Sequence, residues 1–253
     1  MTLAMIRVRR RMIEIGEIWF DEQPTQPLPD VLVLRQRYAP PGGDDYTTQR
    51  SLVNDLTVSE DVLWSGLGNT CRYKIRRAKE RDGVVCASFD QPTDHQIREF
   101  ADFYAAFAKQ KDLQPEKIDK LVATARVNRL RLSAASSGGE AIVWHSYVVT
   151  RGVARLANTA SLFRSDDPDR RAVIGRANRM LHWNDMIEFK KAGLEKYDWG
   201  GVFVDESIPE QKNINSFKRE FGGVERGFFG GIQGISLQGK LYLAARRLLR
   251  RDN

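Results

Sequence analysis

Cysteine and histidine, the residues that most often carry metal and nucleophile chemistry, are scarce in this chain. Its 253 residues include two cysteines, Cys71 and Cys86, and three histidines. Two cysteines cannot build a disulfide scaffold, and no cysteine or histidine stands at a metal-ligand spacing. No motif supports a cysteine–histidine nucleophile either. We therefore predict a protein that uses neither a metal ion nor a thiol nucleophile.

Long hydrophobic runs are also missing. No apolar stretch approaches the roughly 20 residues of a membrane-spanning helix, and the N-terminus lacks the apolar core of a signal peptide. Hydrophobic residues make up 42% of the chain and charged residues 29%, which is ordinary for a globular protein. These features predict a cytoplasmic protein of one or two compact units.

Positive charge is what the chain has in excess, with a net charge of +7 and a pI near 9.5. The basic residues gather near both ends and in one middle cluster: Arg7, Arg9, Arg10, Arg11; Arg72, Lys74, Arg76, Arg77, Lys79, Arg81; Arg246, Arg247, Arg250, Arg251. Diphosphates, coenzyme A or tRNA would suit such a surface, and a solvated basic surface explains the charge equally well. Only Tyr73 is available in the middle cluster to stack on a base, so sequence-specific recognition of nucleic acid is not expected.

The stretch 170–223 holds the most informative pattern. Its apolar spacing predicts a helix over 172–192, closed by Gly193 after two lysines. A short strand at 197–199 follows, and Gly200-Gly201 is expected to break it.

A second helix follows this strand. Residues 207–210 read as a capping box with proline at an early helical position, and Gly222-Gly223 ends the helix. The other predicted elements are strands at 5–20, 31–38, 84–89, 128–136, 140–149 and 153–160, and helices at 60–82, 94–110, 115–127 and 237–251. From residue 84 the order is β-α-α-β-β-β-α-β-α-β, which divides the chain into 1–83, 84–235 and a basic C-terminal helix over 236–253.

Several short motifs stand in the order and spacing of a known family. They are Asn69-Thr-Cys-Arg72 with Ile75-Arg-Arg-Ala78 and Gly83-Val84, then Leu181-His-Trp183, Tyr197-Asp-Trp-Gly-Gly201 and Phe217-Lys-Arg-Glu-Phe-Gly222. Together they resemble the Fem-type (FemABX) peptidoglycan-bridge aminoacyltransferases and their GNAT-fold acyltransferase relatives, over roughly residues 60–232. The resemblance implies an α/β fold (an α+β mixed sheet), namely a GNAT-like acyltransferase domain with a shortened N-terminal GNAT-like part. It also implies an N-acyltransferase.

The resemblance implies catalytic residues as well. Phe217 and Lys218 match the family's Phe-Lys pair, in which the lysine lies near the transferred acyl group and the Phe carbonyl near the amine. The alternative is that Phe217 is core and Lys218 is a solvated flank of its helix. Asp198 either holds the amine or its proton, or is a structural carboxylate bonded to the Gly-Gly turn. His182 is either a base or a satisfied packing residue.

Donor binding is implied at the start of the helix over 172–192. GNAT folds seat the donor's pyrophosphate at this helix N-terminus, on a loop of the pattern Arg/Gln-x-x-Gly-x-Gly/Ala. Here the pattern is partial, since its first position is Ala172. The residues assigned to the donor are Arg171, Gly175, Arg176 and Ala177. The residues assigned to substrate binding are Lys74, Arg76, Arg77, Trp183 and Trp199.

The sequence leaves the donor and the acceptor open. An acyl-CoA donor is favoured and an aminoacyl-tRNA is the alternative. The acceptor is an amine, with an amino sugar or a nucleotide- or lipid-linked precursor of a cell-surface polysaccharide or natural product as the implied type. A non-catalytic GNAT-fold protein that docks on membranes or RNA through its basic residues is the competing class, with the C-terminal helix as its membrane contact.

Overall fold

The computed structural model describes residues 4–42, 46–162 and 167–251, which form ten strands and seven helices. The strands are β1 (Ile6–Arg10), β2 (Ile13–Trp19), β3 (Val31–Arg37), β4 (Tyr46–Asp55), β5 (Val85–Phe89), β6 (Leu130–Ser137), β7 (Glu140–Thr150), β8 (Val153–Ser161), β9 (Lys196–Val202) and β10 (Val224–Gly234). The helices are α1 (Glu60–Ser65), α2 (Asn69–Glu80), α3 (Asp94–Lys111), α4 (Ile118–Arg126), α5 (Pro168–Lys191), α6 (Pro209–Arg219) and α7 (Leu237–Arg251).

The chain folds as two compact units. The first comprises residues 1–50 and 226–253, and the second comprises residues 51–225. These units divide the chain differently from the predicted segments, because α1 and α2 pack with the strands that follow them rather than with the N-terminal strands.

In the first unit the strands lie in the order β1-β2-β3-β10. β1 and β2 are antiparallel, β2 and β3 are parallel, and β10 returns antiparallel to β3. A small core joins Met5 and Ile18 to Leu32 and Leu34. The predicted basic C-terminal helix is present as α7, with Leu237, Leu241 and Leu248 exposed on it.

In the second unit the strands lie in the order β4-β9-β8-β7-β6-β5. β5 to β8 are antiparallel neighbours, whereas β8 and β9 run parallel. Alternation along β6 and β7 sends Leu132 and Trp144 towards α3 and α4, while Ala135 and Val143 face α2 and α5. Helices therefore cover both faces of the sheet, and α5 lies against the face that carries the candidate site.

Most predicted elements are present, and the helix expected over 60–82 is interrupted at Gly66-Leu-Gly68 to give α1 and α2. β4 was not predicted, since its sequence YTTQRSLVND is polar and lacks a clear alternation. Its polar residues Ser51 and Asn54 are nevertheless buried, because they hydrogen-bond to β9 and to the segment after α6. Among the described residues, no helix is both long and apolar enough to cross a membrane.

Candidate active site

Helix α5 supplies the framework of the site. Asp167 caps its N-terminus by accepting a hydrogen bond from the Asp169 N–H at 2.8 Å, and Pro168 occupies the first turn. As predicted, Gly193 follows its C-terminus with a positive φ of 80°. Its buried residues are Ile174, Ala177, Leu181, His182, Asp185, Met186 and Phe189. A histidine and an aspartate are therefore held on the face that packs against the strands.

Residues 171–177, which were predicted to form a phosphate-binding loop, are helical instead. The helix already begins at Pro168, so the Arg171 N–H bonds to the Asp167 carbonyl at 3.1 Å and the later N–H groups lie inside the helix. Ala177 is fully buried in the core, and Arg176 binds Asp82 at 2.5 and 3.0 Å. None of the four residues assigned to the donor lines the cavity described below.

β9 continues through Gly200-Gly201 to Val202, so the predicted break is wrong. Gly200 has a φ of +72°, and a Cβ there would approach the Leu156 carbonyl oxygen to 3.2 Å. Asp198, which is buried, accepts hydrogen bonds from the Gly200 N–H at 2.7 Å and from the Ser51 hydroxyl. This placement matches the structural alternative for Asp198, and its catalytic role remains a prediction.

A cavity lies where β8 and β9 part. Their parallel pairing extends over three residue pairs and ends at Arg155 opposite Asp198. Just beyond, an open cavity of about 390 Å³ is bordered by β8, β9, α5, α6 and the end of α3. The residues that line it are Lys111, Leu156, Thr159, Asn178, His182, Trp199, Glu210, Asn213, Ile214, Phe217 and Lys218. A cleft is therefore present beside β9.

Helix α6 brings Phe217 and Lys218 to this cavity. The predicted capping box at 207–210 is wrong, because α6 begins at Pro209 and Ile208 occupies the capping position without a side-chain bond. Asn215 fixes the helix instead: its side chain accepts from the Phe203 N–H at 3.0 Å and donates to the Phe203 carbonyl at 2.8 Å.

Two contacts fix the chain at the C-terminal end of α6. Arg179 of α5 binds Glu220 through two hydrogen bonds of 2.7 and 2.8 Å, and its guanidinium lies 4.8 Å from the centre of the Phe217 ring. Gly222, at a φ of +73°, lets the chain turn where a Cβ would lie 3.0 Å from the Gly66 carbonyl oxygen. The orientation of Phe217 and Lys218 is therefore set by packing and hydrogen bonds from α5 and β9.

Two lysines line the cavity, Lys111 and Lys218. Lys111 donates to Glu210 at 2.7 Å, whereas the Nζ of Lys218, a half-buried residue, donates to the Gly201 carbonyl oxygen at 2.6 Å. Burial, with a further contribution from the positive charge of Arg155, lowers the pKa of Lys218 from 10.5 to about 8, whereas Asp198 acts in the opposite direction. Such a lysine exists in both protonation states near neutral pH, so it can stabilise negative charge or exchange a proton.

A buried hydrogen-bond network leads from the cavity into the interior of the second unit. His182 Nδ1 lies 2.7 Å from the Tyr197 hydroxyl, which lies 2.9 Å from the Tyr147 hydroxyl. Tyr147 donates to Asp185 Oδ2 at 2.6 Å. Ser133 donates to the same oxygen at 3.0 Å, and His145 Nδ1 contacts it at 2.8 Å. This network connects a cavity-lining imidazole to a fully buried carboxylate.

Three members of this network, His145, His182 and Asp185, have potential metal-ligand atoms within 4.8 Å of one another. The two imidazole rings stack at a centroid distance of 4.0 Å with a 28° angle between them. His145 Nδ1 is also bonded to the Asp185 oxygen. Stacked rings and a direct His–Asp bond are the geometry of a hydrogen-bonded network, whereas a metal site needs lone pairs that converge on one point.

Of the five residues assigned to substrate binding, Trp199 lines the cavity and the other four do not. Trp199 is held by a 2.7 Å bond from its Nε1 to Asn54, but Trp183 packs on Trp64 instead. The exposed Arg76 lies over the Trp64 ring at 5.4 Å, and Arg77 donates to Tyr73. Lys74, half-buried on the same helix, does not line the cavity.

Sequence reasoning missed several polar residues of the site, namely Asn178, Asp185, Asn215, Tyr147 and Ser51. Asp185 did leave a signal, since it is a carboxylate on the apolar side of a predicted helix.

Burial raises the pKa of Cys71 and Cys86 to about 12, so both thiols stay protonated.

Comparisons with known proteins identify the fold. FemX is 9% identical, with a TM-score of 0.61 over 91% of this chain and 84% of FemX. The C-terminal domain of a putative lysylphosphatidylglycerol synthetase from Agrobacterium fabrum is 11% identical, with a TM-score of 0.56 over 97% of this chain and 85% of that domain. L-PGS from Bacillus licheniformis is 13% identical, with a TM-score of 0.53 over 96% of this chain and 84% of its own.

No protein-family model matches the sequence, and the comparison with curated proteins finds no match. At these identities the likeness to solved structures is one of fold. The predicted mixed α/β, Fem-like fold is therefore confirmed.

Proposed function

We propose that this chain is an acyltransferase that moves an acyl or aminoacyl group from an activated donor to an amine, in the cavity between β8, β9 and α6. The observation that carries the proposal is the position of Lys218, which lies in the cavity wall at a point where the Fem-type motif requires a lysine. Its lowered pKa of about 8 and its contact with Gly201 at the end of β9 suit a group that acts on a reacting carbonyl.

The cavity walls support acyl transfer chemistry. Trp199, Phe217 and Leu156 provide apolar surface that limits water around the reacting carbonyl, which strengthens the interaction of Lys218 with negative charge on its oxygen. Asn178, Thr159 and Glu210 add polar groups at the same cavity, as expected for a site that orients an acceptor with hydrogen-bonding groups.

Two donor classes remain candidates. An acyl-CoA is our first candidate from the sequence, but its phosphate cradle at 171–177 is helical, so any contact from these residues has to come from side chains. An aminoacyl-tRNA is favoured by the likeness to a lysylphosphatidylglycerol synthetase domain, since that name denotes a product with an aminoacyl group. The amine acceptor is proposed to be an amino sugar or a nucleotide- or lipid-linked precursor.

The function is tested by replacing Lys218 with methionine, which keeps the length of the stem but removes the charge. With a donor identified by mass spectrometry from CoA thioesters and charged tRNAs, turnover should fall by about 10²-fold or more, the effect of losing one oxyanion-stabilising group. Lys212→Met is the matched control, because Lys212 is an exposed lysine on the same helix outside the cavity.

Lys218→Met should also unfold at a higher temperature than wild type near pH 7. The folded state lowers the pKa of Lys218 below its usual value, so the charged form costs stability below about pH 8. The unfolding temperature of the variant is therefore measured beside its turnover, and a loss of turnover in a variant that stays folded reports on the chemistry. Unchanged turnover in the folded variant would favour the non-catalytic binding protein.

The donor class is tested by the dependence of binding on salt. Binding of a charged tRNA should weaken by orders of magnitude between about 50 and 200 mM salt, because many phosphates are neutralised. Binding of an acyl-CoA should have a much shallower slope. A steep slope for tRNA together with no binding of CoA would establish the aminoacyl-tRNA candidate.

A further inference from the structure

We infer that His182 is the proton acceptor of the cavity and that Tyr197, Tyr147 and Asp185 form a relay that takes the proton away from it. The inference deepens the proposed function, because it names the group that deprotonates the amine acceptor. It rests on the direction of the hydrogen bonds in the buried network, which fixes the tautomer of His182.

The bond directions follow from the carboxylate end of the network. Asp185 Oδ2 accepts hydrogen bonds from Ser133, Tyr147 and His145. This arrangement suits an ionised carboxylate, which can accept hydrogen bonds but cannot donate them. Tyr147 uses its single proton on Asp185, so its oxygen accepts from Tyr197. Tyr197 uses its proton on Tyr147, so its oxygen accepts from His182 Nδ1.

The proton on His182 therefore sits on Nδ1, and Nε2 keeps its lone pair. Within the described residues, no hydrogen-bond partner of Nε2 is present, although His182 is only 1% exposed and lines the cavity. Burial, together with the charge of Asp185, raises the pKa of both Tyr147 and Tyr197 well above the usual value. Both tyrosines thus keep the protons that this assignment requires.

The relay also explains how a buried histidine can accept a proton. Burial lowers the pKa of His182 well below 6.5, and its electrostatic interactions with His145, Lys218 and Arg179 lower it further. An imidazolium is therefore disfavoured. If the Nδ1 proton leaves as Nε2 receives one, His182 stays neutral. The proton that reaches Asp185 at the far end of the network neutralises its carboxylate.

In this step the acceptor nitrogen forms the new C–N bond to the donor carbonyl carbon with its lone pair. One N–H proton passes to His182 Nε2, the Nδ1 proton to Tyr197, the Tyr197 proton to Tyr147 and the Tyr147 proton to Asp185. The bond between the carbonyl carbon and the leaving group then breaks with its electron pair on the leaving group, which takes the proton from His182 Nε2 as the relay runs in reverse. Asp185 is then ionised again and His182 regains its Nδ1 proton, so hydrogen, charge and tautomer balance.

The tautomer is measurable in the free protein without a substrate. Selective ¹⁵N labelling of histidine gives three imidazoles, and His95, which is exposed, serves as the internal reference. We expect His182 to show a protonated Nδ1 and an unprotonated Nε2 between about pH 5 and pH 8. A protonated Nε2 in the wild-type protein would overturn the inference, because His182 would then be a donor to the cavity.

Tyr197→Phe removes the oxygen that holds the Nδ1 proton, so part of the His182 population should move its proton to Nε2. Tyr104→Phe is the matched control, since Tyr104 is a buried tyrosine that packs with α3 and α4 away from the network. An unchanged tautomer in Tyr197→Phe would contradict the relay. If this variant does not fold, the wild-type spectrum alone decides the tautomer.

A second arm measures turnover with the donor and acceptor identified above. His182→Gln should lose about 10²- to 10⁴-fold, the contribution of a general base. Tyr197→Phe should lose less and should change the acidic limb of the pH–rate profile. Full turnover in His182→Gln would end the catalytic role even if the tautomer is as inferred. The NMR measurement of the tautomer does not require an active enzyme. A failure to find a donor would therefore count against the proposed function but not against the tautomer of His182.

Discussion

The two parts of α5 use polar residues in opposite ways. In its N-terminal half the arginines bind carboxylates of the same chain, as in Arg170–Glu140, Arg176–Asp82 and Arg179–Glu220. Between His182 and Phe189 the helix instead buries a histidine and an aspartate in a network of tyrosines, and His182 lines the cavity. The arginines of the first half are thus bound to carboxylates of the fold, while the network of the second half reaches the cavity through His182.

This difference changes how the basic residues are interpreted. An arginine that already binds a carboxylate through two hydrogen bonds must give up those bonds before it can hold a phosphate. His182 and Lys218, in contrast, lie in the cavity wall. The cavity end of α5, rather than its N-terminus, is therefore the part from which we derive the function.

The largest effect that would separate the two parts is on stability. Asp185→Ala leaves the buried donors of Ser133, Tyr147 and His145 without their acceptor, and we expect the free energy of unfolding to fall by about 3–5 kcal/mol. Glu140→Ala should cost only about 1 kcal/mol or less, because Glu140 and its partner Arg170 are both exposed and Arg170 can turn to water. Urea denaturation of both variants measures the difference, and equal losses would contradict the comparison.

A smaller effect is expected from pH. The fold lowers the pKa of His182 below 6.5, so the unfolded chain binds a proton that the folded chain does not. His182 therefore contributes stability above about pH 6.5 that is lost as the pH falls, with a slope of up to about 1.4 kcal/mol per pH unit. His182→Phe should lack this part of the slope, whereas His95→Gln should retain it. Identical slopes in wild type and His182→Phe would refute the prediction.

The smallest effect is expected on α2. Removing Arg76 and Arg77 together should leave the free energy of unfolding within about 1 kcal/mol of wild type, since both act at a solvated surface. If they bind the donor, its affinity should fall by up to about 1 kcal/mol for each arginine and the loss should shrink with salt. Arg9→Ala with Arg10→Ala is the control, since both are exposed arginines of the first unit. Equal donor affinity in both double variants would mean that Arg76 and Arg77 only contribute surface charge.

Much of this fold could be predicted from the sequence, because its helices and most of its strands have clear apolar periods and glycine stops. Gly66, Gly193 and Gly222 all stand at the ends of helices, as their positions suggest. β4 could not be predicted, since its buried Ser51 and Asn54 gain partners only from residues about 150 positions away. Local periodicity contains no information on such partners.

The candidate site was predictable only in part. The lysine and the phenylalanine of α6 follow from the motif, and both line the cavity. The donor loop failed because the glycine pattern at 171–177 fits a helix interior as well as a phosphate cradle. The buried network was missed because the direction of a hydrogen bond depends on tertiary neighbours, such as Tyr147 next to Asp185.

The central claim is that the reaction takes place in the cavity beside β9, and two adjacent residues of α6 test it directly. Asn213 lines the cavity, whereas Lys212 does not, and both are exposed. Turnover of the identified donor should fall by at least about tenfold in Asn213→Trp, because the indole occupies the space that the reactants need. Lys212→Trp should keep the wild-type rate. Equal rates in the two folded variants would contradict the claim.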